Sequence, residues 1–184
     1  MIILADINRL FRSDEVETTA LRSIDLQIEE GEFVAIMGPS GCGKSTLLNT
    51  LGMIDRPTSG RYLFRDQEVT DLPEAALARM RRDNLGFVFQ SFNLIDELTI
   101  AENVELGLVY RRWAGKDRRA RVEATLDRVG VAHRARHYPH QLSGGQQQRV
   151  AIARAIVGQP SLILADEPTG NLDSENGEQV MEIL

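Results

Sequence analysis

The residues best equipped for chemistry stand at 38–46, which read GPSGCGKST between a short apolar run and a helical stretch. Gly38, Gly41 and Gly43 allow the backbone to curl so that successive amides point inward, and the helix start near Lys44 adds its partial positive charge. Such a loop cradles phosphates, with Pro39, Ser40, Cys42 and Thr46 completing it around the glycines. Lys44 supplies a full charge to the β and γ phosphates, and the Ser45 hydroxyl suits a magnesium ion.

A second glycine-containing helix start follows at 142–146, which read LSGGQ. Ser143 and Gln146 have the spacing of a capping box, and Val150, Ala153, Ile156 and Val157 fall on one helical face. That reading leaves Gly144 and Gly145 unexplained, because glycine in a first turn weakens a helix by about 1 kcal/mol relative to alanine. Bare amides there make a second anion site. One nucleotide cannot easily use two such sites on separate lobes of one chain, whereas two chains arranged head to tail can share two nucleotides. Residues 162–167 read LILADE, an apolar strand delivering the adjacent carboxylates Asp166 and Glu167 at its end. Neighbouring side chains at a strand end point different ways, so the two acids can have different tasks.

The elements that must position these groups alternate in type. Strands are expected at 24–28 and 33–37 about a turn at Glu30 and Gly31, and at 61–64 and 68–70 after a turn at 57–60. Pro73 opens a helix running to Arg82, and 85–90 and 161–166 read as buried strands. Residues 99–113 and 118–129 have helical spacing, with Gly130 as a stop. The pattern implies a parallel α/β core, about 1–90 and 158–184, with a mostly helical insert over about 91–157.

With 184 residues, 42% hydrophobic and 26% charged, the chain has material for one globular domain. A net charge of −6 argues against a protein that neutralises nucleic-acid phosphates over its whole surface. One cysteine, Cys42, excludes an intrachain disulfide framework and fits a reducing compartment, hence the cytosol. No stretch approaches the roughly 20 apolar residues of a membrane helix, and no secretory leader is read at the start. The basic run Arg111, Arg112, Lys116, Arg118, Arg119 and Arg121 reads as a solvated helix face.

The pairing of GPSGCGKST with LSGGQ is specific: the sequence resembles an ABC-type ATPase over essentially its whole length. The resemblance implies a P-loop NTPase core of RecA-like type, an N-terminal antiparallel β subdomain and a helical subdomain carrying the LSGGQ signature. It implies ATP and Mg2+ as ligands, with Asp166 holding magnesium through water and Glu167 as base or orienting group for the attacking water. Gln90 corresponds to the glutamine that contacts magnesium and that water, although a lone glutamine is also an ordinary surface residue. Phe11 stands where the family stacks an aromatic on adenine, with an ordinary core aromatic as the alternative. Asn171, Leu172 and Asp173 resemble a loop that reaches across a homodimer. Residues 91–104, SFNLIDELTIAENV, resemble the groove where a membrane permease docks.

The resemblance also leads one to expect a histidine some thirty residues beyond the LILADE acids; His133, His137 and His140 all precede LSGGQ, so the C-terminal part of the core is expected to be missing and turnover slow. FRSDEVETTAL, FNLIDELTIAENV and GNLDS look most like the branch serving lipoprotein release, macrolide efflux and cell division. That implies an ATPase on the cytoplasmic face of the inner membrane, held there by its permease and working in export or mechanical coupling. A soluble ABC protein without a permease, or a nucleotide-binding module without turnover, are the alternatives.

Overall fold

The N-terminal antiparallel sheet begins with a strand that periodicity alone does not reveal, β1 (Ile2–Arg12). Its alternation is broken by register shifts between Leu4 and Ile7 and again before Arg9 and Leu10, where Asp6 takes a left-handed turn (φ 49). β1 is the central partner of β2 (Glu17–Ile28) and β3 (Ser59–Phe64), and β4 (Gln67–Glu68) extends β3, giving the order β2-β1-β3-β4. The computed structural model describes residues 1–12, 17–111 and 113–184. Residues 13–16 of FRSDEVETTAL, and Arg112 of the basic run, lie outside the described residues.

The chain divides into two units, Met1–Arg79 and Met80–Leu184. In the first, Ile2, Leu4, Ile7, Leu21, Tyr62 and Phe64 bury one side of the sheet together with Leu51 of α1 (Lys44–Leu51). The Tyr62 hydroxyl donates to the carbonyl of Leu51 at 2.7 Å, which ties the end of α1 to β3. Burial pushes that phenol above its ordinary range. The expected strand at 33–37 has no ladder partner among the described residues, and Phe33 and Met37 are exposed. An apolar run is extended by its own preference but becomes a strand only where a neighbour offers hydrogen bonds.

α2 (Glu74–Asn84) precedes the second unit's parallel pair, β5 (Leu85–Val88) and β6 (Leu162–Ala165), registered Leu85 to Leu162 through Val88 to Ala165. Around it lie α3 (Ile100–Val109), α4 (Gly115–Arg128), α5 (Gly144–Ile156) and α6 (Ser174–Ile183). The α/β class, with an antiparallel N-terminal sheet and a separate parallel pair, is as the sequence implies. α5 is the hub: Val150, Ala151, Ile152 and Ala153 are fully buried. β5 passes so close that a methyl at Gly86 would stand 2.6 Å from the Ala155 carbonyl oxygen.

α3 opens on a capping box. The Thr99 hydroxyl and amide both donate to the Glu102 carboxylate, at 2.6 and 2.8 Å, and hold it below the usual carboxylate range. The fully buried Asn103 then fixes the preceding turn. Its amide nitrogen donates to the carbonyls of Ile95, Leu98 and Thr99, and its oxygen accepts from the Ile95 amide at 2.8 Å. Asn103→Ala leaves those groups unpaired and is expected to cost about 3 kcal/mol. For a chain of this size that is roughly 6–12 °C in a thermal melt.

Candidate functional site

The phosphate loop belongs to the first unit. Gly41 and Gly43 have φ of +79° and +96°, and a methyl at Gly43 would stand 2.5 Å from the Ala20 carbonyl oxygen of β2. A side chain at Gly43 is therefore excluded twice, by backbone conformation and by space. The loop closes on the Lys44 ammonium, which donates to the carbonyls of Gly38 and Pro39 at 2.9 Å each. Ser40, Gly41, Cys42 and Ser45 are exposed and Thr46 is half-buried, its carbonyl accepting from the buried Thr50 hydroxyl. No side chain caps α1 at Gly43. A curled, exposed loop with a cation at its centre and a helix start without a side-chain cap suits an anion of phosphate type.

Phe11, near the end of β1 opposite Thr18, is 41% exposed, which rules out the reading as a core aromatic. The Arg9 guanidinium lies 4.5 Å from its ring centroid and also pairs with Asp55 at 3.8 Å. One face of the ring thus carries a cation.

In the second unit, the parallel register brings the ends of β5 and β6 together. The Asp166 amide donates to the Val88 carbonyl at 3.0 Å, so Gln90, Asp166 and Glu167 all emerge at one edge. Glu167 turns sharply there with φ 46, and its carbonyl accepts from the Gly170 amide at 2.9 Å. A methyl at Gly170 would lie 2.9 Å from Gln90 Nε2 and 3.3 Å from Glu167 Oε2. The glutamine amide and the carboxylate therefore converge on one bare backbone, which is consistent with more than an ordinary surface glutamine. The Asn171 amide group donates to the Gln90 carbonyl at 2.8 Å. Asp173 caps α6, accepting from the Asn176 amide at 2.9 Å.

The LSGGQ segment does form the capping box: the Ser143 hydroxyl accepts from the Gln146 amide at 3.3 Å, and Gln146 Oε1 from the Ser143 amide at 3.2 Å. Its two glycines differ. A methyl at Gly145 would run into the Asn176 side chain, so that glycine has a packing reason the sequence did not reveal. Gly144 has none, since a methyl there would meet only Phe92 and Leu172 at ordinary distances of 3.8 and 3.9 Å. Two residues of the same helix escaped sequence reasoning. Gln148, fully buried, donates to the Pro168 carbonyl at 2.7 Å, and Arg154 donates to the carbonyls of Phe92 and Asn93.

The basic run is not simply a solvated face. Arg111 donates to the Gly158 carbonyl, Arg118 pairs with Glu105 at 2.7 Å, and Arg121 donates to the Val157 carbonyl at 3.0 Å with its guanidinium over the Trp113 ring. Lys116 and Arg119 are exposed as expected. Burial holds the Arg111 guanidinium below its ordinary value. Among the described residues no helix is long and apolar enough to cross a membrane.

The profile of the family described as "ABC transporter" matches residues 21–170. An ABC transporter ATP-binding protein of Thermotoga maritima is 50% identical over 98% of this chain and 77% of its own length. The macrolide export ATP-binding/permease protein MacB of Azoarcus sp. is 53% identical over the whole chain, which spans 28% of that protein. A solved dimeric structure, the post-hydrolysis state of the ATP-binding cassette MJ0796 bound to ADP and Pi, matches with a TM-score of 0.92 at 48% identity, covering 100% of this chain and 81% of that one. The corresponding MJ0796 sequence is from Methanocaldococcus jannaschii. At about half identity along its entire length and with the fold of a known cassette, the chain belongs to the ABC transporter family and is an ATP-binding domain of that family.

Proposed function

We propose that the chain hydrolyses MgATP as a head-to-tail homodimer and thereby drives a membrane permease, in export or mechanical coupling. The observation that carries hydrolysis is the convergence of Gln90 and Glu167 on Gly170 at the ends of two parallel strands. A carboxylate beside a hydrogen-bonding amide is what orients and deprotonates a water. Lys44 and the loop amides bind the triphosphate, and Phe11 stacks on the adenine. Ser45 in the first unit, and Asp166 and Gln90 in the second, each offer an oxygen donor of the kind that Mg2+ takes, and Mg2+ when bound would neutralise phosphate charge.

The head-to-tail arrangement is supported by Gly144, a bare position in the first turn of α5 that packing does not require. Ser143, Gly144, Gly145 and Gln146 would meet the partner's nucleotide, and Asp173 would reach across the same interface. Residues 1–184 are read as one ABC ATPase domain, with about 91–157 as its helical subdomain. Export, and a place on the cytoplasmic face of the inner membrane, follow the macrolide-export relatives.

Gly144→Ala tests the dimer most cleanly, because a methyl there meets only side-chain ends at ordinary distances. Each protomer is expected to keep its ATP affinity, while the ATP-driven shift to a dimer in light scattering with magnesium withheld is lost. A variant that still dimerises on ATP would overturn the shared-nucleotide arrangement.

A further inference from the structure

The segment from Gln90 to Asn93 is bonded through its backbone carbonyls to two side chains, Asn171 and Arg154. After β5 the chain passes through Phe92 and Asn93, both left-handed with φ of 55° and 51°. Such a conformation is unfavourable for a residue with a β-carbon, more so for Phe92 than for Asn93, and it is held where neighbouring groups fix the backbone. The Arg154 guanidinium does so here, donating to the Phe92 carbonyl at 2.7 Å and to that of Asn93. From the other side, the Asn171 amide group holds the Gln90 carbonyl.

Arg154 is an expensive choice if stability were its only purpose. It is half-buried, burial lowers its pKa from the ordinary value, and among the described residues no ion pair holds it. Placing a cation there without a counter-ion opposes folding. An apolar side chain would pack against the core of α5 without that cost, but would leave the two carbonyls unsupported.

Arg154 also lies in the last turn of α5, whose first turn carries the Ser143–Gln146 box. A helix of 13 residues spans about 20 Å and turns as one body. Close approach of β5 to α5 at Gly86 leaves little slack between them.

We propose that Arg154 is a positioning residue for Gln90: it holds the 90–93 segment in its left-handed course and ties the glutamine to the orientation of α5. The catalytic consequence rests on the hydrolytic reading above, but the clamp itself does not. A change at the glycine end of α5 is thereby passed to the residue beside Glu167 in the same chain.

The test combines hydrogen exchange with a double-mutant cycle on the full protein, using Arg154→Met, Arg154→Lys and Gln90→Ala. The amides of Phe92 and Asn93, bonded to the Phe89 and Ser91 carbonyls, are expected to exchange about tenfold faster in Arg154→Met, with β5 and β6 unchanged. ATP turnover should fall about tenfold or more at nearly constant KM. Arg154→Met combined with Gln90→Ala should be no slower than Gln90→Ala alone, and Arg154→Lys should recover part of the loss. Multiplicative losses in the double variant would overturn the proposal. So would an Arg154→Lys protein that folds, exchanges and turns over like the parent while Arg154→Met merely melts earlier. A parent protein without ATP turnover would refute the hydrolytic reading; the exchange rates at 92 and 93 would still decide the clamp.

Discussion

Glu167→Gln should reduce ATP turnover by about 10²- to 10⁴-fold while leaving ATP binding intact. The substitution keeps the shape of the side chain and its place against Gly170, and removes only the capacity to take a proton. If Glu167 is the base, water is still held by Gln90 but attacks unassisted. The nucleotide-driven dimer then loses its exit step, so size-exclusion chromatography in ATP should show a dimer that outlasts the parent's. Phosphate release above about one-tenth of the parent rate would assign the base to another group.

Lys44→Met is expected to weaken ATP binding by about 3 kcal/mol, roughly a hundredfold. Two effects act together. The ammonium is the only full positive charge within the 38–46 loop, and it also draws the carbonyls of Gly38 and Pro39 toward a common point. Methionine has a similar apolar stem but neither charge nor donor, so the loop loses its ligand charge and its internal tether at once. The melting temperature should move little, since the side chain tip serves the loop and not the core. Titration with a fluorescent ATP analogue checks the affinity; a value within threefold of the parent would remove Lys44 from the phosphate site.

The chemistry-bearing segments were legible because their demands are local. Successive inward amides need Gly41 and Gly43 wherever the loop occurs, and an apolar strand ending in Asp166 and Glu167 announces itself over six residues. The capping box at Ser143 and Gln146 was equally local. What escaped was set by distant partners. β1 hid because its register shifts destroy the alternation by which strands are recognised, and residues 33–37 look like a strand because a ladder partner leaves no mark on the run itself.

The arginines make the same point more sharply. Arg111, Arg121 and Arg154 each donate to backbone carbonyls 36 to 62 residues away, and any residue can offer a carbonyl. Spacing therefore carries no trace of the partner, and a run of basic residues reads as solvated when part of it is buttressing. Gly145 shows the same limit from another side: read as a bare amide for an anion, it also clears space for Asn176.

Trp113, the only tryptophan in the chain, packs against the α3–α4–α5 cluster with a guanidinium over its ring. Its fluorescence is therefore an optical reporter of the packing of the second unit's core. Far-UV dichroism sees both units. Following the two signals through one denaturant series separates a single cooperative transition from two successive ones, without a label or an engineered probe.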